Sequence, residues 1–112
     1  MAVYIETETP TALLADFKAA IKDGKIRTWS VDDDGDFTHD TDQWRYKAWL
    51  RPRVKEAQLT FYILAPVNTT ISKATYAVYH GRLIEAFLTH FDTVIRSSKA
   101  SPLATGEDRV SG

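Results

Sequence analysis

Two neighbouring segments of the chain carry opposite charges, and this arrangement restricts the folds that the chain can adopt. Residues 31–42 contain six aspartates, and residues 45–55 contain five lysines and arginines. Asp34-Gly35 in the acidic segment is a strong signal for a tight turn, because both residues tolerate a positive φ. The two segments are therefore predicted to lie on adjacent strands of an antiparallel sheet, where their charges neutralise each other.

The composition is that of one small folded domain. The chain has 112 residues, of which 44% are hydrophobic and 26% are charged. It contains no cysteine, which excludes disulfides and cysteine-based metal sites and fits a reducing compartment such as the cytoplasm. The net charge of −1 gives no overall attraction to nucleic acid or to anionic membranes. The sequence shows no signal peptide and no apolar run long enough for a membrane span, so a cytoplasmic protein is predicted.

Hydrophobic periodicity predicts the order strand, helix, four strands, helix. Pro10 suits the first turn of the first helix, because the N–H that it lacks would have no helical partner there. The sequence therefore predicts an α+β domain over residues 1–97, in which an antiparallel sheet of about four to five strands has two helices packed on one face. Residues 98–112 are predicted to form a flexible C-terminal tail. The predicted elements are a strand at 2–7, a helix at 10–23, strands at 25–31, 36–39, 43–51 and 57–65, and a long helix from Thr70 or Ser72 to about Ser97.

The second predicted helix is longer and more broadly apolar than one small sheet can cover. Gly81 either bends it or marks a close approach to another element. The outer face of the sheet also presents Trp49, Tyr62 and Leu64, which are residue types favoured in interfaces. This surplus of apolar surface predicts a non-enzymatic protein-interaction or assembly module, most simply a homodimer.

The fourth predicted strand suggests an alternative function. Arg45, Lys47, Trp49 and Arg51 alternate onto one face, and Tyr62 is expected nearby on the next strand. Cations interleaved with aromatic rings are typical of surfaces that bind single-stranded nucleic acid, where the bases stack and the phosphates pair. The same face would also be explained by charges that pair with the neighbouring aspartates.

A second alternative is a small-ligand protein or an enzyme. Trp29, Tyr46 and His80 are predicted to line a pocket between the second helix and the sheet. The sequence contains no phosphate-binding loop, nucleophile elbow or dinucleotide fingerprint. No catalytic residue, cofactor or metal site is predicted, and a role as an enzyme is not favoured.

The acidic turn contains a candidate metal site. Asp32, Asp34 and Asp36 alternate as in a calcium loop, but Phe37 and Gln43 stand where an EF-hand needs its glycine and its bidentate glutamate. A solvated turn is the favoured interpretation. His39, with Asp40 and Asp42, offers only a weak set of ligands for a divalent ion.

Several stretches of the sequence resemble a family of small uncharacterised bacterial proteins. The stretch from Tyr76 to Glu85, followed by residues 88–92, resembles the last helix of these proteins. Residues 28–30 and 35–39 are similar to theirs as well. The resemblance implies a source in bacteria or their phages, and it implies no activity.

Overall fold

The computed structural model describes residues 2–112, and these form a six-stranded antiparallel sheet with two helices. The predicted α+β class is therefore confirmed. The predicted count of four to five strands is wrong, because an additional strand follows the second helix. Across the sheet the strands lie in the order β2-β3-β4-β5-β1-β6. The elements are β1 Ala2–Glu6, α1 Pro10–Lys22, β2 Trp29–Val31, β3 Phe37–His39, β4 Trp49–Lys55, β5 Gln58–Leu64, α2 Lys73–His90 and β6 Ser97–Ala100.

A cluster of phenylalanines joins both helices to the sheet. The Phe17 ring of α1 lies 4.8 Å, between ring centroids, from Phe37 of β3 and the same distance from Phe87 of α2. Phe61 of β5 packs against all three rings, and all four side chains are fully buried. Burial of one aromatic side chain stabilises a domain by roughly 1.5–3 kcal/mol, so this cluster is a major part of the core. Both helices therefore cover the same face of the sheet, as predicted.

Helix α2 is shorter than the sequence predicted. It begins after Ser72, whose side chain accepts a hydrogen bond from the Thr75 N–H, and it continues through Gly81 to His90. The expected end near Ser97 is wrong. The chain after α2 instead runs along the free edge of β1. The Thr7 hydroxyl donates a hydrogen bond to the carbonyl of Val94, and the N–H of residue 96 donates to the carbonyl of residue 6. Because the helix is shorter, it carries less of the uncovered apolar surface on which the homodimer prediction rests.

Residues 98–112 are part of the domain, so the prediction of a separate C-terminal tail is wrong. Strand β6 pairs with β1, and Val3 lies opposite Ala100. Further along, Arg109 exchanges backbone hydrogen bonds with β5 and its end, donating to the carbonyl of Ile63 and accepting from the N–H of Ala65. The physical reason is that one edge of β1 and the end of β5 have backbone N–H and C=O groups that no other strand pairs. Residues 98–112 supply the hydrogen-bond partners for these groups.

The fourth strand begins later than the sequence predicted. Residues 41–47 form turns, and Tyr46 has a left-handed φ of 62° that no strand residue adopts. From Ala48 onwards the predicted alternation holds, because Ala48 and Leu50 are buried against the helices while Trp49 faces the other side. The turns that replace the first half of the strand form one wall of the cleft described next.

Candidate functional site

A cleft of about 650 Å³ opens beside the β2-β3 end of the sheet. Three segments form its walls: the loop before β2, the turns after β3 and the C-terminal half of α2. This volume lies within the range of about 300–1,000 Å³ that is typical of small-ligand sites. Its polar walls include Lys25, Arg27, Thr41, Gln43, Arg82 and Glu85.

His39 is the most unusual side chain in the cleft. It ends β3 and lines the cleft, although only 5% of its surface is exposed. Its ring packs against Trp29 at a centroid distance of 4.9 Å and against Tyr79 at 6.1 Å. Among residues 2–112, the buried Nδ1 atom has no hydrogen-bond partner. Buried side-chain nitrogens nearly always have one, so an unpaired nitrogen in a cleft wall indicates a missing partner.

The surroundings of His39 keep its ring neutral at pH 7. Burial lowers the pKa of the imidazole below its usual 6.5, and the nearby Arg82 guanidinium lowers it further. A backbone hydrogen bond to Thr28 raises the pKa of His39, and so do the negative charges of Glu85 and Asp40, but the net effect is a lower pKa. Because Nδ1 is unpaired, the Thr28 carbonyl is assigned to Nε2–H. Nδ1 of the neutral ring then carries a lone pair and is a hydrogen-bond acceptor.

A buried network of hydroxyl groups holds the turn wall of the cleft in place. The Tyr79 hydroxyl of α2 donates to the carbonyl of Trp44 and lies 2.9 Å from the Thr38 hydroxyl. The Thr38 hydroxyl donates to the carbonyl of Ala48 and accepts from the N–H of Tyr46. Burial raises the pKa of Tyr79, so its hydroxyl stays protonated and continues to donate. Two side chains thus fix a segment that has no regular secondary structure.

The walls of the cleft carry more positive than negative charge. Lys25 and Arg27 come from the loop before β2, and neither forms an ion pair within the described range. Arg82 and Glu85 face each other across one turn of α2, with 3.0 Å between the guanidinium Nη1 and the carboxylate Oε2. Three cations therefore share the cleft with one carboxylate.

The predicted pocket residues lie elsewhere. Trp29 is buried behind His39, and the Tyr46 ring is exposed and stacks on Trp49. His80 is buried in α2 against Tyr76, at a centroid distance of 4.4 Å. None of the three predicted side chains lines the cleft. The signal that was missed is the hairpin register: a three-residue loop at 33–35, with Gly35 at a positive φ, pairs Asp32 with Asp36 and so places Trp29 opposite His39.

The predicted basic-aromatic surface is only partly assembled. Trp49 and Arg51 lie on the outer face of β4, and Tyr62 of β5 lies directly opposite Arg51. Arg45 and Lys47 belong to the preceding turns instead of the strand. Tyr62 is only 7% exposed, so most of its ring surface is not accessible to a stacked base. Nucleic-acid binding stays a prediction, with fewer free groups than the sequence indicated.

In the described residues, the acidic segment contacts strand β4 through one ion pair, between Arg51 and Asp36, the residue just before β3. Arg51 forms two hydrogen bonds to the carboxylate of Asp36, at 2.9 Å and 2.8 Å, and Asp36 is buried. Arg45 binds Asp40 and approaches Asp42, but this happens within a turn instead of across strands. The predicted neutralisation across adjacent strands therefore holds for Arg51, and only local pairing exists for Arg45.

The acidic turn is organised by its own backbone. Oxygens of Asp32, Asp34 and Asp36 lie within 4.8 Å of one another. The Asp32 carboxylate accepts hydrogen bonds from the N–H groups of Asp34 and Asp36, and the Asp36 carboxylate is bound by Arg51. These contacts account for the cluster as a stabilised turn.

Comparisons of the chain with protein-family profiles, with curated proteins and with solved structures found no match. The resemblance to uncharacterised bacterial proteins therefore stays a prediction. Neither helix in the described residues is long and apolar enough to cross a membrane.

Proposed function

We propose that this chain is a small-ligand binding protein and that the cleft at His39 receives the ligand. One observation carries the proposal: a nearly fully buried histidine lines a cleft of ligand size, and its Nδ1 lacks a hydrogen-bond partner in residues 2–112. An unsatisfied buried polar group costs roughly 1–3 kcal/mol, and a ligand that pairs with it removes that cost. Polar groups that converge in a pocket of this size are the usual signature of a binding site.

Binding is favoured over catalysis by the surroundings of the imidazole. A catalytic histidine needs a nucleophile within hydrogen-bond reach and a group that orients the ring. The His39 ring is held by the Thr28 backbone and by packing against Trp29 and Tyr79. No side-chain carboxylate or hydroxyl forms a hydrogen bond with it in the part of the chain that the structure describes.

A screen of small fragments by NMR tests the proposal. Fragments that bind should shift the amide signals of the cleft walls in the ¹⁵N-labelled protein. Thr89→Trp places a large side chain at an exposed position of the cleft and should abolish this binding. Ala77→Trp makes a change of similar size at an exposed position of α2 outside the cleft and should preserve it. A screen without cleft binders, or one in which both variants behave alike, would remove the basis of the proposal.

Self-association through a protein interface is a second candidate function, with support from the exposed apolar side chains. Val67 and Leu103 are 84% and 78% exposed, although both are apolar residues of the folded domain. Light scattering at micromolar concentration measures the mass directly. A mass near that of one chain, 12.7 kDa, would refute the homodimer.

A further inference from the structure

Building on the proposed function, we infer the chemical class of the ligand: a small organic anion that also carries a hydroxyl group. The cationic walls of the cleft hold the anionic end, and Nδ1 of His39 accepts a hydrogen bond from the hydroxyl. The two recognition elements rest on different observations, namely the charges of the cleft and the unpaired ring nitrogen.

We infer the anionic group of the ligand from the charges that line the cleft. Lys25 and Arg27 approach from one wall and Arg82 from another, and Glu85 is already bound to Arg82. The ammonium of Lys25 and the guanidinium of Arg27 have no anionic partner in the described chain. A carboxylate or a phosphate supplies such a partner, and charge-assisted hydrogen bonds of this kind are among the stronger polar contacts in proteins.

We infer the hydroxyl group of the ligand from the protonation and hydrogen bonding of the His39 ring. Its ring is neutral and one nitrogen is engaged by the Thr28 backbone, so the unpaired Nδ1 can accept a proton donor but cannot itself donate. A carboxylate is an acceptor and cannot fill this position. The ligand therefore needs a separate hydrogen-bond donor, and we infer an O–H group for this position. Nδ1 is screened from water in the free protein, so the ligand reaches it only when side chains of the cleft wall shift.

The body of the ligand lies against an apolar part of the cleft. Ile26, Trp44 and Ala86 line the same cleft as the charged groups and His39. An aromatic ring or a short aliphatic chain suits these contacts. Hydroxybenzoates combine an apolar body, an anion and a hydroxyl, and they serve as probes of this class.

Probes that differ by one group test the two elements separately. The three isomers of hydroxybenzoate are titrated into the labelled protein, and the tightest isomer is compared with benzoate and with the matching hydroxybenzamide. Phenyl phosphate replaces benzoate to distinguish a phosphate from a carboxylate as the preferred anion. Loss of the charge and loss of the hydroxyl should each weaken binding about fivefold.

Variants then assign each preference to its residues. Arg27→Gln should weaken the hydroxybenzoate about fivefold and leave the uncharged hydroxybenzamide unchanged, whereas Lys73→Gln at the far end of α2 should change neither. His39→Phe keeps a ring in the packed position and should remove the preference for the hydroxyl while the preference for the anion remains. His39→Leu, which also lacks an acceptor, is the second variant if the phenylalanine does not fold.

The outcomes separate this inference from the proposed function. Binding that is equal for charged and uncharged probes, or a hydroxyl preference that survives in both His39 variants, overturns the inference. Failure of all hydroxybenzoates also overturns it. In either case, cleft binders from the wider fragment screen would leave the proposed function standing, whereas a screen without cleft binders would refute both.

Discussion

Removal of one hydroxyl group from Tyr79 should destabilise the domain far more than the same change one turn earlier in the helix. Tyr79 is fully buried, and its hydroxyl donates to the carbonyl of Trp44 and contacts the Thr38 hydroxyl. Tyr79→Phe keeps the ring and removes both of these contacts, so that the Trp44 carbonyl retains only the hydrogen bond from the Lys47 N–H. The expected loss of unfolding free energy is about 2 kcal/mol, because two hydrogen bonds worth roughly 1 kcal/mol each are lost.

The matched control is Tyr76→Phe. The Tyr76 hydroxyl is also buried, but it has no partner within residues 2–112. Its removal deletes an unsatisfied polar atom, so stability should stay the same or rise slightly. Both changes are made in α2, and each removes one oxygen atom.

Urea denaturation followed by tryptophan fluorescence gives both free energies, and the chain's three tryptophans provide the signal. A loss of about 2 kcal/mol in a domain of this size also lowers the melting temperature by roughly 8–16 °C. Tyr79→Phe should in addition weaken ligands of the cleft, because the 41–47 turns lose their anchor. Equal stabilities for the two variants would show that the hydroxyl network does not hold the turn wall.

Three further predictions concern other parts of the domain. Arg51→Gln leaves a buried carboxylate without its bidentate partner and should cost about 1–2 kcal/mol in urea denaturation, whereas Arg45→Gln at an exposed turn should leave stability nearly unchanged. Stability should decline as the pH falls below about 6.5, because the unfolded chain protonates His39 while burial lowers its pKa in the folded state. The His39→Phe variant should lose this part of the pH dependence below about pH 6.5. Asp108→Ala should cost about 1–3 kcal/mol because the N–H of Ile63 loses its acceptor, and Asp108→Asn, which keeps an acceptor oxygen, should retain most of the stability; thermal melts at pH 7 compare the two.

Local patterns in the sequence predicted most of the elements. Alternating apolar residues identified β1 and β5, and Pro10 with the leucines and phenylalanine after it identified α1. These patterns are local, so the sequence alone carries them. The α+β class followed from their order.

The elements that the sequence missed depend on contacts between distant residues. Strand β6 has a polar, unperiodic sequence, and it is a strand because the edge of β1 supplies its hydrogen bonds. Residues 41–47 alternate like a strand, but the hydroxyls of Thr38 and Tyr79 bind their backbone in turns. Such tertiary contacts override local pattern.

The cleft was missed for a related reason. His39 lies in a strand of three residues, too short for a periodic signal. Its role follows from its position opposite Trp29 and from the approach of α2, and both require the folded structure. His80 offered a clearer pattern on a long helix, but that helix buries it in the core.

The position of β1 in the sheet has a consequence for how the chain folds during its synthesis. Strand β1 leaves the ribosome before the other strands of this domain, but it lies between β5 and β6, and the hydrogen bond from Ser97 to Glu6 spans 91 positions. A nascent chain must therefore keep its first strand unpaired while most of the domain is translated. Contacts between residues so far apart also slow folding, so this small domain should fold more slowly than a helical bundle of equal length. During that interval the exposed edge of β1 is the part of the nascent chain most in need of protection from wrong pairing.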